Sequence, residues 1–520
     1  LMTSLAFILG MLPMVVASGP GSASRQAIGT GVFFGMIVAV SVGILLVPFF
    51  FVLIYKAKGK FNRKRLSGAG LILLAAGTGL SSCQIGKSYT RPDMPLPARL
   101  DTLTQDTASI GDLSWWELYN DTTLQQLIHR ALTYNKDLKI ASARMNELAA
   151  LKRIDFANMF PQATARLNGN RETTNYGGDN FDADPELSLT ASISWELDLW
   201  GNLRWARDHS TAEFLASVEN CRAVKIGLVA QVAQSYFELM ALDNELAIVR
   251  RTLEARREGV RLAEIRFKGG LTSEIVFQQA KVELAKTATM VPDLERRISL
   301  KESEIALLTG DFPYAVNRNV LPEEIQLPDA LPLGLPSTLL ERRPDIRKAE
   351  RELMAAHAEV GLAYTNMFPR LALTATLGAE SETLRDLLKS PYSYLAGNLL
   401  SPLFAMGKNR AALKAKRTAY ESAVAEYEKT VLTAFKETHD AIINFNKIKD
   451  IYESRRQLAE ASRTAVELAQ LQYINGVIGY LDLLDAQRNY FDAQVSLSNA
   501  VCDKQLMIIN LYKALGGGWK

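Results

Sequence analysis

Cysteine and histidine are scarce in this 520-residue chain: Cys83, Cys221 and Cys502, with His129, His209, His357 and His439. No CxxC pair, HExxH helix or other metal-ligand spacing joins them, so the sequence offers no metal centre and no disulfide framework. Isolated histidines of this kind are predicted to sit on helix surfaces or interfaces. A nucleophile motif and a phosphate-cradling glycine loop are also missing, which leaves an enzyme without its reacting groups and without a cofactor. Acidic residues are absent from residues 1–82, which hold seven Lys and Arg. The rest therefore carries 52 basic against 56 acidic residues, and the overall charge of +3 conceals a slightly acidic body. That body has no basic stripe interleaved with aromatics, which excludes a nucleic-acid partner.

What is present begins with apolar sequence. Leu1–Ser24 and Gly29–Tyr55 are uncharged, and the second is long enough to cross a hydrocarbon layer of about 30 Å as a helix. A basic cluster from Lys56 to Arg65, an apolar run from Leu71 and the small residues before Cys83 follow in the order of a signal segment, residues 56–82. From Cys83 to about residue 114 the chain reads as an extended arm punctuated by Pro92, Pro95 and Pro97.

Beyond the arm the sequence repeats itself. Asn158, Met159, Phe160 and Pro161 recur as Asn366, Met367, Phe368 and Pro369, at an offset of 208. Trp200, Gly201 and Arg204 recur as Met406, Gly407 and Arg410, and Phe267 with Gly270 as Tyr473 with Gly476, at an offset of 206. Two similar halves result, 115–310 and 338–518, joined by a proline-rich linker over 311–337.

Each half opens with helical sequence that stops at Phe-Pro. Strands follow, predicted over 162–172 and 186–196 in the first half and over 370–380 and 392–400 in the second. The clearest has Glu186, Ser188, Thr190, Ser192 and Ser194 alternating with Leu187, Leu189, Ala191, Ile193 and Trp195. Ten-residue segments of period two suit a membrane-spanning barrel and equally a half-buried soluble sheet. Long helical patterns then occupy 203–309 and 408–515. Val224, Leu228, Val232, Leu239, Leu242, Leu246 and Val249 recur at three-four spacing. The first rod, Leu203 to Phe267, would reach about 97 Å at 1.5 Å per residue. It turns back at Gly269 and Gly270, with Thr272 or Ser273 placed to cap the returning helix; Asn475 and Gly476 turn the second. Cys221 and Cys502 are too far apart along these rods to pair. Four strands cannot close a barrel, so several copies must share one.

At this point the residues resemble a known family. Cys83, Tyr89 with Thr90, Arg91 and Pro92, the Trp115–Asp121 segment, Glu341–Glu350, and Tyr473 through Arg488 together are similar to TolC-like outer-membrane factors of tripartite efflux systems, in their lipoprotein branch. Residues 1–55, including Gly29–Met36 and Val47–Val52, resemble the C-terminal end of a resistance–nodulation–division (RND) inner-membrane pump. Since the chain opens on Leu1, that segment is expected to be the end of a neighbouring pump, fused or joined by read-through.

The resemblance implies a mixed α and β fold: a homotrimer sharing one transmembrane β-barrel, four strands per chain, continued by a long periplasmic α-helical barrel. It implies passive conduction from an inner-membrane pump and a periplasmic adaptor, with the channel in the outer membrane and in contact with its lipid. Cys83 would carry a covalent lipid, with Gln84 after it favouring release to the outer membrane. Asp482 and Asp485 would form an acidic ring at the periplasmic gate, although Ile478 stands where some relatives carry a basic gate residue and the first half offers Glu274, Ile275 and Val276. The tips around Phe267, Gly270, Thr272, Tyr473 and Gly476 would dock the adaptor. Competing expectations are a coiled-coil envelope scaffold without a pore and an outer-membrane component of type I protein secretion.

Overall fold

A computed structural model describes residues 84–95, 121–174, 182–318, 336–402 and 404–517. The expectations for residues 1–83, including Cys83, and for Trp115 and Trp116 lie outside them.

The first repeat begins with α1, Thr122–Tyr134, and α2, Lys136–Ala157. Asp121 starts α1 by accepting from the amides of Thr123 and Leu124, and Asn135 starts α2 by accepting from that of Leu138 at 2.9 Å. Such caps satisfy amides that have no partner within the helix. Strands β1, Gln162–Thr174, and β2, Asp182–Leu197, follow, then α3, Asn202–Lys268, and α4, Glu274–Thr309. The second repeat runs through α5, Pro336–Arg342, α6, Pro344–Thr365, β3, Arg370–Ser381, β4, Pro391–Leu400, α7, Lys408–Ile474, and α8, Tyr480–Ala514.

The strands of the first repeat extend past the expected bounds, to Thr174 and back to Asp182. Pro336, counted within the expected linker, opens a helix, a position where its missing N–H costs nothing. Pro292 is likewise accommodated inside α4.

The helices pack laterally in the order α2, α3, α6, α7, while α3 with α4 and α7 with α8 form hairpins that touch through α3 and α8. The main core lies where α1, α3, α4 and α8 meet, around the fully buried Tyr236, Leu239, Val249, Ile305 and Leu511. A second cluster of Ile346, Leu353, Tyr427 and Val431 binds α6 to α7. Val224, expected in the stripe, is only half-buried, whereas Leu228 through Val249 are buried as the spacing requires.

The sheet is antiparallel in the order β1-β2-β3-β4, so β1 and β4 are edges. Register places Leu167 opposite Leu189, Leu189 opposite Ala379, and Leu377 opposite Ser393. Thr164, Ser192, Thr376 and Tyr394 line up on the other face, where the Ser192 and Thr376 hydroxyls bond at 2.8 Å. One face is thus largely apolar and open to its surroundings, with Leu167 68%, Leu377 67% and Leu395 81% exposed. No helix among the described residues is long and apolar enough to cross a membrane.

Candidate channel elements and their comparison with known proteins

The hairpin tips are built by main-chain geometry. At the first, Gly270 takes φ +71° and the Leu271 amide donates to the Arg266 carbonyl at 2.8 Å. At the second, Gly476 takes φ +73° and the Val477 amide donates to the Gln472 carbonyl at 2.9 Å. Left-handed backbone at a helix end favours glycine. The expected side-chain cap of α4 does not form. Ser273 precedes the helix without capping it, and the Thr272 hydroxyl is buried without a partner. The main chain closes that turn instead, the Val276 amide donating to the Ser273 carbonyl at 3.2 Å.

Asp482 serves its own helix first. Its carboxylate accepts from the Gly479 amide at 3.0 Å and so caps α8. Asp485 accepts from the Asn489 amide group at 3.2 Å. Both carboxylates are exposed, three positions apart on one side of the helix.

The two tips meet through Tyr473, whose buried ring lies 4.8 Å from the Arg266 guanidinium and edge-on to Tyr480 at 5.8 Å. Phe267 remains within the first tip, stacked on Phe277 at 6.1 Å. Gly270 and Gly476 mark the two separate turns, with nothing within 4 Å of where a Cβ would sit.

Further up the hairpins, three residues that sequence reasoning missed form an ionic node. Glu283 of α4, 4% exposed, accepts from Arg256 of α3 at 2.7 Å and from Arg488 of α8. Arg256 also donates to the Thr287 hydroxyl at 2.6 Å. The hydrogen bond from Arg488, reinforced by the Arg256 charge, holds the Glu283 carboxyl below the usual carboxylate range. Burial pulls the Arg256 guanidinium down from its ordinary value, with Glu283 opposing. The available signal was a carboxylate inside a buried stripe, since Glu283 falls at three-four spacing with Ala280, Thr287, Leu294 and Ile298.

At the junction of helices and sheet, the arm is strapped down. The Ile85 amide donates to the Trp200 carbonyl at 3.1 Å, and the Trp205 indole donates to the Ile85 carbonyl at 3.0 Å. Arg91 grips Glu350 with two bonds of 2.6 Å. A Cβ at Gly86 or at Gly361 would stand 2.7 or 2.3 Å from the Trp205 ring, so the indole is sandwiched between arm and α6. Of the two settings expected for the histidines, His357 takes the interface: the rings of Tyr89, Trp205 and Tyr420 surround it at 5.8, 5.6 and 5.7 Å, and burial pushes its pKa down. Arg343, which precedes α6, is buried and donates to the Ala514 carbonyl at 3.0 Å, to Asp345 and to Glu437.

Cys221 and Cys502 are both free thiols. Among the described residues no cluster of His, Cys, Asp and Glu could hold a metal ion.

Comparison with known proteins matches residues 127–311 and 335–517 to the family described as outer membrane efflux protein. Residues 1–55 match the AcrB/AcrD/AcrF family. Outer membrane protein OprJ of Pseudomonas aeruginosa is 32% identical over 88% of this chain and 97% of its own length. SilC of Salmonella typhimurium, described as a probable outer membrane lipoprotein, is 29% identical over 88% of this chain and 99% of its own. The solved outer-membrane channel OprN superposes with a TM-score of 0.78 at 30% identity, covering 84% of this chain and 100% of that one.

Proposed function

The chain belongs to the outer membrane efflux protein family, and from that premise we propose how its parts divide the work of an outer-membrane efflux channel. The channel is a trimer of mixed α and β fold, in which four strands per chain share one barrel and the helices continue it into the periplasm. The observation that carries this function is the apolar sheet face, open to its surroundings between two unpaired edge strands. In water such a face and such edges would aggregate; in lipid the face is matched, and the edges are satisfied once copies close the ring. A pore-less scaffold would have no use for either.

In this reading residues 1–55 are a permease tail, 56–82 a lipoprotein signal, and 83–114 a lipidated arm anchored through Cys83. Residues 115–310 and 338–518 are the two repeats, and 311–337 the equatorial linker. Asp482 and Asp485 narrow the periplasmic aperture, and the tips around Phe267, Gly270, Thr272, Tyr473 and Gly476 receive the helical hairpins of a periplasmic adaptor. The RND pump supplies the energy, so the channel itself needs no catalytic group and no cofactor beyond the acyl chain. SilC, described as a lipoprotein, supports the anchor.

Purified protein reconstituted in planar bilayers tests the whole reading: trimers that conduct ions support it, and a monomer that passes none overturns it. Globomycin, which blocks lipoprotein signal cleavage, tests Cys83 separately. An uncleaved form should accumulate, and an unchanged band refutes the assignment.

A further inference from the structure

The duplication supplies an internal control for the junction between sheet and helix. Helices α3 and α7 each follow a left-handed glycine, Gly201 at φ +83° and Gly407 at φ +76°, and each is 67 residues long. In the first repeat this junction is balanced and covered. Asp198 pairs with Arg204 at 3.0 Å and Asp208 with Arg207 at 2.7 Å. The arm lies over it, with Gln84 reaching Asp208 at 3.2 Å and leaving 2.7 Å for a Cβ on Gly201.

Within one protomer, the same positions of the second repeat are bare and cationic. Asp198 is replaced by Phe404, 84% exposed, and Trp200 by Met406, 85% exposed. Asp208 becomes Lys414, and nothing lies within 4 Å of a Cβ at Gly407. Arg410, Lys414 and Arg417 fall at i, i+4 and i+7 on one exposed side of α7, and no ion pair joins any of them among the described residues. Like charges at that spacing repel, and the positive end of the helix adds to the repulsion.

We propose that Arg410, Lys414 and Arg417, together with the exposed Phe404 and Met406, bind the headgroups of anionic phospholipids in the leaflet that the barrel meets at this junction. Charge complementarity and continuity with the lipid-facing sheet argue for that occupant. The side of the helix is set by the repeat and rests on the lipidated-arm reading above. Gln84 directly follows Cys83, so the side of α3 carrying Asp208 faces the bilayer, and Lys414 is the equivalent of Asp208. Phe404 and Met406 follow the lipid-facing strand β4 and suit the interface, where aromatic and apolar groups gather at the rim of a barrel.

The test uses the native trimer in detergent, with native mass spectrometry and thermal unfolding on addition of phosphatidylglycerol, phosphatidylcholine or inorganic phosphate. Phosphatidylglycerol should be retained and should raise the melting temperature. The triple variant Arg410→Gln, Lys414→Gln, Arg417→Gln should weaken its binding on the order of 100-fold, about fivefold per cation. A triple variant at Arg257, Arg261 and Arg463, cations on the periplasmic rods, should leave retention unchanged. Equal retention of phosphatidylcholine, equal loss in the control variant, or the full effect from inorganic phosphate overturns the inference. The acyl mass on Cys83, read in the same spectra, tests the anchor independently; lost lipid preference with that mass present refutes the headgroup site alone.

Discussion

Arg488→Ala removes one of the two cations that hold Glu283, and with it the direct ionic tie between the first hairpin and the second. Losing one partner of a fully buried ion pair costs about 3–5 kcal/mol. Two features reduce that here: Arg488 is 46% exposed, and Arg256 still neutralises Glu283. The appropriate scale is one hydrogen bond to a charged group, about 1.5–3 kcal/mol per protomer. If the tie exists only when the tips are drawn together, that amount shifts the closed-to-open ratio of each hairpin about 10- to 100-fold. Single-channel recording in planar bilayers should then show a longer-lived or larger open level than the native trimer.

Acid should act in the same direction. Because the carboxyl of Glu283 titrates below its ordinary value of 4.5 in the folded protein, its contribution is complete above that pH and is lost as pH falls through the lowered value. In Arg488→Ala the carboxyl loses its main stabilising bond, so the acid transition should move to higher pH. Unchanged conductance together with an unchanged acid transition would show that the node does not constrain the tips. A double-mutant cycle with Glu283→Gln separates the pair's coupling from the general loss of packing.

Three further outcomes are expected. Asp482→Ala should cost about 1 kcal/mol by uncapping α8, whereas Asp482→Asn keeps an acceptor for the Gly479 amide; higher conductance in both variants supports the gate, and a change in the alanine variant alone indicates only the cap. Gly361→Ala places a methyl 2.3 Å from the Trp205 ring and should lower stability by about 1–3 kcal/mol in thermal unfolding, with faster proteolysis of the arm; an unaffected arm refutes the sandwich. His357 has a lowered pKa from burial, so the unfolded chain takes up a proton near 6.5 before the folded one does, and the arm should loosen as pH falls below that value. Tryptophan fluorescence followed from pH 7.5 to 5 should report this change, and His357→Phe should abolish it.

The strands and rods were legible because each repeats a simple period in a uniform setting. The alternation from Glu186 to Trp195 faces lipid on one side and polar surroundings on the other, and the glycines at 270 and 476 require a backbone that few other residues adopt. The alternation did not distinguish a lipid-facing sheet from a buried one. That needed the observation that, among the described residues, no helix or second sheet covers Leu167, Leu377 and Leu395. The ionic node, the contacts that strap the arm down and those of Arg343 were not legible, since each joins residues far apart in sequence. Arg488 and Glu283 are 205 positions apart, Arg91 and Glu350 259, and Arg343 and Ala514 171. Asp482 was read for its charge, while its immediate role is to accept one backbone hydrogen bond.

The repeat explains where function collects. Positions that shape the scaffold are shared: both long helices start after a left-handed glycine, both turn at another, and both are 67 residues long. Positions that carry contacts differ. At the offset of 206, Arg488 corresponds to the exposed Val282, Glu283 to Asn489, and Arg256 to Ser462, so the node exists once per chain and can only tie one half to the other. Asp198 against Phe404 and Asp208 against Lys414 make the same division at the membrane end. Divergence at the two ends, under a conserved frame, gives each hairpin one partner at the tip and one surface at the bilayer.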